Sequence, residues 1–203
     1  MAASEDVELL ESLEAFQGHV RIKRLRLRHR QFAGGLGPAL TREVVYRSDA
    51  VAVLPYDPVR DEVVLIEQFR IGPYVRGDAD PWLIEIVAGL IEASEAPDEV
   101  ARRECVEEAG LQLAELVPVL GYYASPGLLC EHISVYCGRV ETTEAGGIHG
   151  LDHEGEDIRV LVRSFDEAMA LLREGRISAG PAVVALQWLA LNRDDLRRRW
   201  SGG

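Results

Sequence analysis

Apolar and polar residues alternate through the first part of the chain, which is the period of β-strands. In HVRIKRLRLRHR, residues 19–30, Val20 and Ile22 share one phase and Leu25 and Leu27 the other. The slip at Lys23-Arg24 predicts a bulged strand with one basic face. The run AGGLGPA, residues 33–39, reads as a loop between an N-terminal strand lobe and the main domain. Strands are expected near Arg42–Arg47, Ala50–Tyr56 and Glu62–Gln68, with turn chemistry at Asp57–Asp61 between the last two. Residues 71–81 read as a loop and Trp82–Ala88 as a strand. The period then changes. Pro97 suits a first helical position, Asp98 and Glu99 suit the positive end of the dipole, and Gly110 suits a C-terminal cap, so a helix is predicted over Pro97–Ala109. Strands follow at 115–123, 131–141 and 157–163. Ser164 and Glu167 form a capping-box pattern ahead of a helix that Gly175 stops, and a long helix is expected from Ala182 to Trp200. The order implies a mixed α/β architecture with the sheet packed between helices.

Composition narrows the setting. A chain of 203 residues suits one domain with an extension, or two small lobes. A hydrophobic fraction of 47% and a charged fraction of 28% belong to a globular protein. The formal net charge of -12 repels a polyanion, so the basic strand reads as an amphipathic strand rather than a nucleic-acid surface. A small phosphorylated substrate remains compatible where metal ions or arginines reverse the field locally. Cys105, Cys130 and Cys137 contain no CxxC pair and read as reduced, mostly buried thiols. The N-terminus lacks a signal-peptide pattern, and no apolar run approaches the roughly 20 residues of a membrane span. The expected location is the cytoplasm, with no membrane partner.

The candidate chemistry lies in GLIEASEAPDEVARRECVEEAGL, residues 89–111. Asp98 with Arg102 and Glu99 with Arg103 are i,i+4 pairs that would support a solvated helix. Glu104, Glu107 and Glu108 are different. They share one helical face near the C-terminus, where the dipole disfavours negative charge, and no basic residue follows four positions later. Beside them Ala101, Cys105 and Ala109 make a small apolar stripe that would press the helix onto the protein body. Clustered carboxylates on a rigid element suit Mg²⁺ or Mn²⁺.

Gly89, Glu95, Arg103, Glu104, Glu107, Glu108 and Gly110 match the Nudix box, G-x5-E-x7-R-E-U-x-E-E-x-G-U, at its fixed positions, with Cys105 and Leu111 in the apolar slots. The chain therefore resembles the Nudix hydrolases. Ser125-Pro126-Gly127, WLIEIVAG before the box, and GGIHGLDHEGEDIRV and VVALQWLAL after it are similar to the bacterial ADP-ribose pyrophosphatases of that family. The resemblance runs from about residue 16 to the C-terminus. It implies a Nudix fold, a mixed sheet between helices, with a strand lobe at 1–45 and the hydrolase domain at 46–203. It implies metal ligation by Glu104 and Glu108, support from Glu107 and Glu95, a further ligand in the Ala88 carbonyl, and an orienting role for Arg103. His19, Arg42, Glu43, Arg47, Arg70, Glu85 and Leu90 stand at substrate-facing positions. His19 occupies the place where relatives stack an aromatic ring on adenine.

In the same resemblance the loop HGLDHEGED supplies the catalytic base at Glu154 and an assisting acid at Glu156. A zinc site at His149 and His153 is disfavoured, because Gly150 and Gly155 oppose a helix that would bring the two together. The implied reaction is Mg²⁺-dependent hydrolysis of ADP-ribose to AMP and ribose 5-phosphate. The implied assembly is a homodimer in which the strand lobe completes the partner's pocket. Two alternatives stand beside it: hydrolysis of another nucleotide sugar such as GDP-mannose, and a non-catalytic nucleotide sensor.

Overall fold

The computed structural model describes residues 6–201, which form two compact units. The first comprises the chain up to Asp49 together with Tyr123–His132. Strands β1 (Val7–Gln17), β2 (Arg21–His29) and β3 (Leu40–Tyr46) make an antiparallel sheet in the order β1-β2-β3. The acidic N-terminal run is thus a strand, which its sequence did not suggest. Its acids explain the basic face of β2. Glu8 reaches Arg28 at 3.7 Å and Glu14 reaches Arg21 at 3.9 Å across β1 and β2, and Arg24 binds Glu43 of β3 at 2.9 Å. Such exposed pairs add little stability each, but opposite charges across a ladder favour one register. The bulge expected at Lys23-Arg24 lies instead in β1. The pairing there skips between Leu9 and Glu11 and between Glu14 and Phe16, while β2 pairs with β3 without interruption. The loop at 33–39 joins β2 to β3 inside this sheet rather than separating a lobe from a domain.

The second unit holds a mixed sheet of β4 (Ala50–Asp57), β5 (Glu62–Phe69), β6 (Trp82–Glu85), β7 (Val87–Leu90), β8 (Glu115–Tyr123), β9 (His132–Arg139), β10 (Gly147–His149) and β11 (Ile158–Ser164). The order is β10-β11-β5-β4-β9-β8, with β6 added on β5 and β7 on β4; β4 and β9 run parallel. The expected single strand at 82–88 is therefore two, broken at Ile86, because its halves pair with different strands. A short helix α1 (Ile71–Arg76) occupies part of the expected loop at 71–81 and ends on Gly77 in the left-handed region.

Helix α2 (Pro97–Ala109) covers one face of the sheet. There Val100, Ala101, Cys105 and Ala109 pack on Val51, Val53, Val64, Ile66 and Val87. Helices α3 (Phe165–Arg173) and α4 (Gly180–Ser201) cover the other face, around Leu54, Tyr56, Leu65, Leu186, Leu189 and Trp200. β4 alternates between the two cores, which is why its run is apolar rather than amphipathic. The expected capping box forms: Ser164 accepts from the Glu167 amide and Glu167 accepts from the Ser164 amide. Cys105 and Cys137 are buried as expected, but Cys130 is exposed; all three are free thiols.

Candidate active site on the carboxylate helix

α2 is anchored by its small residues. Ala101, Cys105 and Ala109 are at most 2% exposed, so the helix lies close to the sheet and carries its acids with it. Glu108 is drawn in furthest. It is buried, and its Oε2 accepts the Ala88 amide at 2.9 Å. Burial, reinforced by the charges of Glu104 and Glu156, pushes its carboxyl from an ordinary 4.5 up to about 8, against the opposing Ala88 bond and the charge of Arg70. Glu104 is also raised, chiefly by burial, then by the Glu107 and Glu156 charges, with Arg103 opposing.

Gly89 gives Glu104 its place. A Cβ on Gly89 would fall 1.8 Å from Glu104 Oε1, so only glycine lets that carboxylate rest on β7. Gly89→Ala is expected to displace Glu104 and weaken divalent-cation binding at least about tenfold, as loss of a ligand's support does. Isothermal titration of the metal-free variant checks this, and wild-type affinity would remove the cradle from the argument.

The acid face is not unpaired. Its cation lies upstream: Arg103 Nη1 binds Glu104 and Glu107, each at 2.9 Å, and its Nε lies 3.6 Å from Glu95. The i,i+4 pairs expected for Arg102 and Arg103 give way to these contacts, and Arg102 donates to the Leu113 carbonyl at 2.7 Å. Glu95 also accepts the Glu92 amide at 2.9 Å, shaping the turn into the helix.

Arg70, at the end of β5, holds Glu85 of β6 at 2.7 Å. Leu90 closes β7, partly exposed. The loop acids approach from β10 and β11. His149 packs over Gly110, and the Gly150 amide donates to the Glu107 carbonyl at 3.2 Å, fastening the loop to the end of α2. Nothing marked that fastening beforehand except the glycine that closes the box. Glu156 accepts the Leu151 amide at 3.0 Å, and its charge is felt by Glu104 and Glu108. Glu154 sits on a single 3-10 turn, Asp152–Glu154, exposed and 3.7 Å from His153. Within this unit Glu108 feels the charges of Glu104, Glu156 and Arg70, and Arg70 holds Glu85, while Glu154 stands in the loop.

The other named residues belong to the first unit. His19 is exposed in the β1–β2 turn. Arg42 and Glu43 are exposed on β3, with Arg42 donating to the Thr41 carbonyl at 2.9 Å. Arg47 pairs with the buried Glu131 at 3.2 Å.

The donor set fits a hard divalent cation. Oxygen ligands dominate, burial and mutual repulsion make the acids costly to ionise unaided, and a glycine clears the way for one of them. Among the described residues no three His, Cys, Asp or Glu side chains already form a cage; Arg103 and backbone amides hold the acids.

The NUDIX domain pattern matches residues 46–186. The chain belongs to the Nudix family. Its curated Nudix relatives include an ADP-ribose pyrophosphatase of Escherichia coli (strain K12), 46% identical over 196 residues, covering 97% of this chain and 93% of that protein. An ADP-ribose pyrophosphatase of Haemophilus influenzae is 41% identical over 200 residues, covering 98% and 92%. A crystal structure described as an ADP compounds hydrolase shares the fold at a TM-score of 0.71 and 17% identity, covering 98% of this chain and 99% of its own. The carboxylate helix is thus the Nudix box, and Arg103 is the arginine at that box's fixed position.

Proposed function

We propose that this Nudix protein hydrolyses the pyrophosphate of ADP-ribose to AMP and ribose 5-phosphate, with Mg²⁺ as its metal. The observation that carries the reading is a Nudix box that has every fixed residue, whose buried Glu108 feels the charges of Glu104, Glu156 and Arg70. The relatives that are similar over nearly the whole chain bear the name of that activity.

Glu104 and Glu108 would hold the metal, with the Ala88 carbonyl, Glu107, Glu95 and Glu156 in support. Bound Mg²⁺ supplies charge neutralisation at the bridging phosphates and a more acidic water. Arg70 offers a planar fork to a phosphate while Glu85 keeps it in place. Glu154 is the base. The Gly155 hinge, at φ +71°, lets its exposed carboxylate swing onto water when substrate is present, and it takes the proton as water attacks phosphorus. Arg103 orients Glu104 and Glu107. His19, Arg42, Glu43, Arg47 and Leu90 contact the nucleotide sugar.

The deciding experiment is AMP release, with Mg²⁺, from an equimolar series of nucleotide sugars that includes ADP-ribose and GDP-mannose. Preference for ADP-ribose is expected. Preference for GDP-mannose would replace the substrate, and no turnover of any would leave a nucleotide-binding protein.

We also propose a homodimer formed through the strand lobe. Val7, Leu9, Leu10, Leu13 and Phe16 of β1 are all exposed, apolar surface that water disfavours, with Val7 and Leu9 on one face of the sheet and Leu13 and Phe16 on the other. Removing residues 1–40 is expected to give a monomer with weakened substrate binding. Light scattering reads the mass, and a truncated protein that stays dimeric with full kcat/KM would overturn the arrangement. No described helix is long and apolar enough to cross a membrane. The free thiols support a reducing compartment, the cytoplasm.

A further inference from the structure

The end of β5 carries a buried polar group with no partner. Gln68 is 8% exposed, and its Nε2 makes no hydrogen bond. An amide with nothing to donate to costs on the order of 1–3 kcal/mol when buried, so its presence calls for a reason.

Its surroundings supply one. Side chains alternate along a strand, so Gln68 shares a face with Val64, Ile66 and Arg70. Val64 and Ile66 pack on the α2 side of the sheet, against the core that holds Val100 and Cys105. Opposed residues in an antiparallel ladder also share a face. Ile66 lies opposite Glu85 and Gln68 opposite Leu83, so Glu85 is on that face too, which agrees with its bond to Arg70. Gln68 therefore lies between Ile66 and Arg70 along β5, on the side of the sheet that bears the carboxylate helix. Arg70 is close enough for Glu108 to feel its charge.

None of the acceptors at hand takes its proton: Glu85 binds Arg70, Glu108 the Ala88 amide and Glu156 the Leu151 amide, each through Oε2. A primary amide nitrogen can only donate. What Gln68 lacks is an acceptor, and the one that belongs beside Arg70 is anionic oxygen, which the enclosed Nε2 meets when the amide turns toward Arg70.

We propose that Gln68 is a further substrate-binding residue, whose side-chain N–H donates to an oxygen of the pyrophosphate held by Arg70. The inference rests on the phosphoanhydride reading of the site, not on the identity of the sugar or base. A neutral donor suits this place better than a second cation: it binds the phosphate without competing with Arg70 for Glu85.

The test is Gln68→Leu, close in size and without the donor, with Gln68→Met as the second variant in case leucine packs poorly. The probe is the methylene-bridged diphosphate of adenosine, titrated calorimetrically in Mg²⁺, beside kcat/KM for ADP-ribose. Affinity for the probe is expected to fall about 10–100-fold in both variants, as loss of a hydrogen bond to a charged group does. Their melting temperatures should stay level or rise, since the orphan is gone. Mg²⁺ affinity without the probe should not move. Unchanged probe affinity in either folded variant overturns the proposal. So does a drop in Mg²⁺ affinity equal to the drop for the probe, which would make Gln68 a support for the box. If wild type binds the probe but turns over no nucleotide sugar, the hydrolase reading fails while the Gln68 assignment is still decided by the binding data.

Discussion

Glu108→Gln is expected to remove nearly all hydrolysis and nearly all of the stabilisation that Mg²⁺ confers. Glu108 is the most buried of the box acids, and its neighbours Glu104 and Glu156 repel it. A cation relieves both burial and repulsion, whereas glutamine keeps the shape and loses the charge. At a hundred times its dissociation constant a ligand of the native state adds about 2.7 kcal/mol, which in a chain of this size raises Tm by about 5–10 °C. The variant should show little of that rise. Its kcat/KM should fall by more than the roughly 10–100-fold that loss of a supporting group costs a metal site. A wild-type Tm response to Mg²⁺ in the variant would remove Glu108 from the ligand set.

The same carboxyl sets a pH dependence whose sign is fixed. Its pKa in the folded chain, about 8, lies above its ordinary 4.5, so the native state holds the proton more tightly than the unfolded one. The stability this contributes to the metal-free protein is full below about pH 4.5 and is lost as pH rises through 8. Glu108→Gln should flatten that decline. Ligation needs the ionised form, so Mg²⁺ binding below pH 8 should release a proton and weaken up to tenfold per pH unit. Calorimetry in buffers of different ionisation enthalpy counts that proton, and a count near zero at pH 7 would contradict the shift.

Glu154→Gln is expected to lower kcat by at least about 100-fold with KM nearly unchanged, the signature of a base that acts in the transition state. Metal binding to the free enzyme should survive, because Glu154 is exposed in the loop while the box acids and Glu156 lie together. Glu156→Gln should be milder in kcat and should instead raise the Mg²⁺ concentration needed, since Glu104 and Glu108 both feel its charge. Paired kinetics and metal titrations on the two variants separate the roles. If Glu156→Gln does more damage to kcat, the base is Glu156; if neither matters, a box glutamate takes the proton.

Much of this site is legible in the sequence because helices and caps are local. Pro97, Gly110 and the spacing of the acids place α2 and its acidic face without reference to anything distant. What the pattern hid depends on partners far along the chain. β1 has no strand-like alternation, and its identity as a strand comes from β2, whose arginines its glutamates face. The split of β6 from β7 follows from which strand each half pairs with, not from Ile86 itself. Spacing offers Glu104 and Glu107 no basic residue one turn downstream; their cation is Arg103, next to Glu104 and one turn before Glu107, where the family resemblance sets an orienting arginine. Gln68 carried no signal, because a lone amide in an apolar strand reads as ordinary until its surroundings are known.

Arg103 also gives Glu104 and Glu107 a resident counterion. Tethered on the same helix, it sits at an effective concentration that dialysis cannot lower. A divalent ion bound by these acids would share them with that cation, and the midpoint of its titration would measure what the ion adds to Arg103. A helix built this way has part of its acid face neutralised from within, so its fold does not wait for the ion.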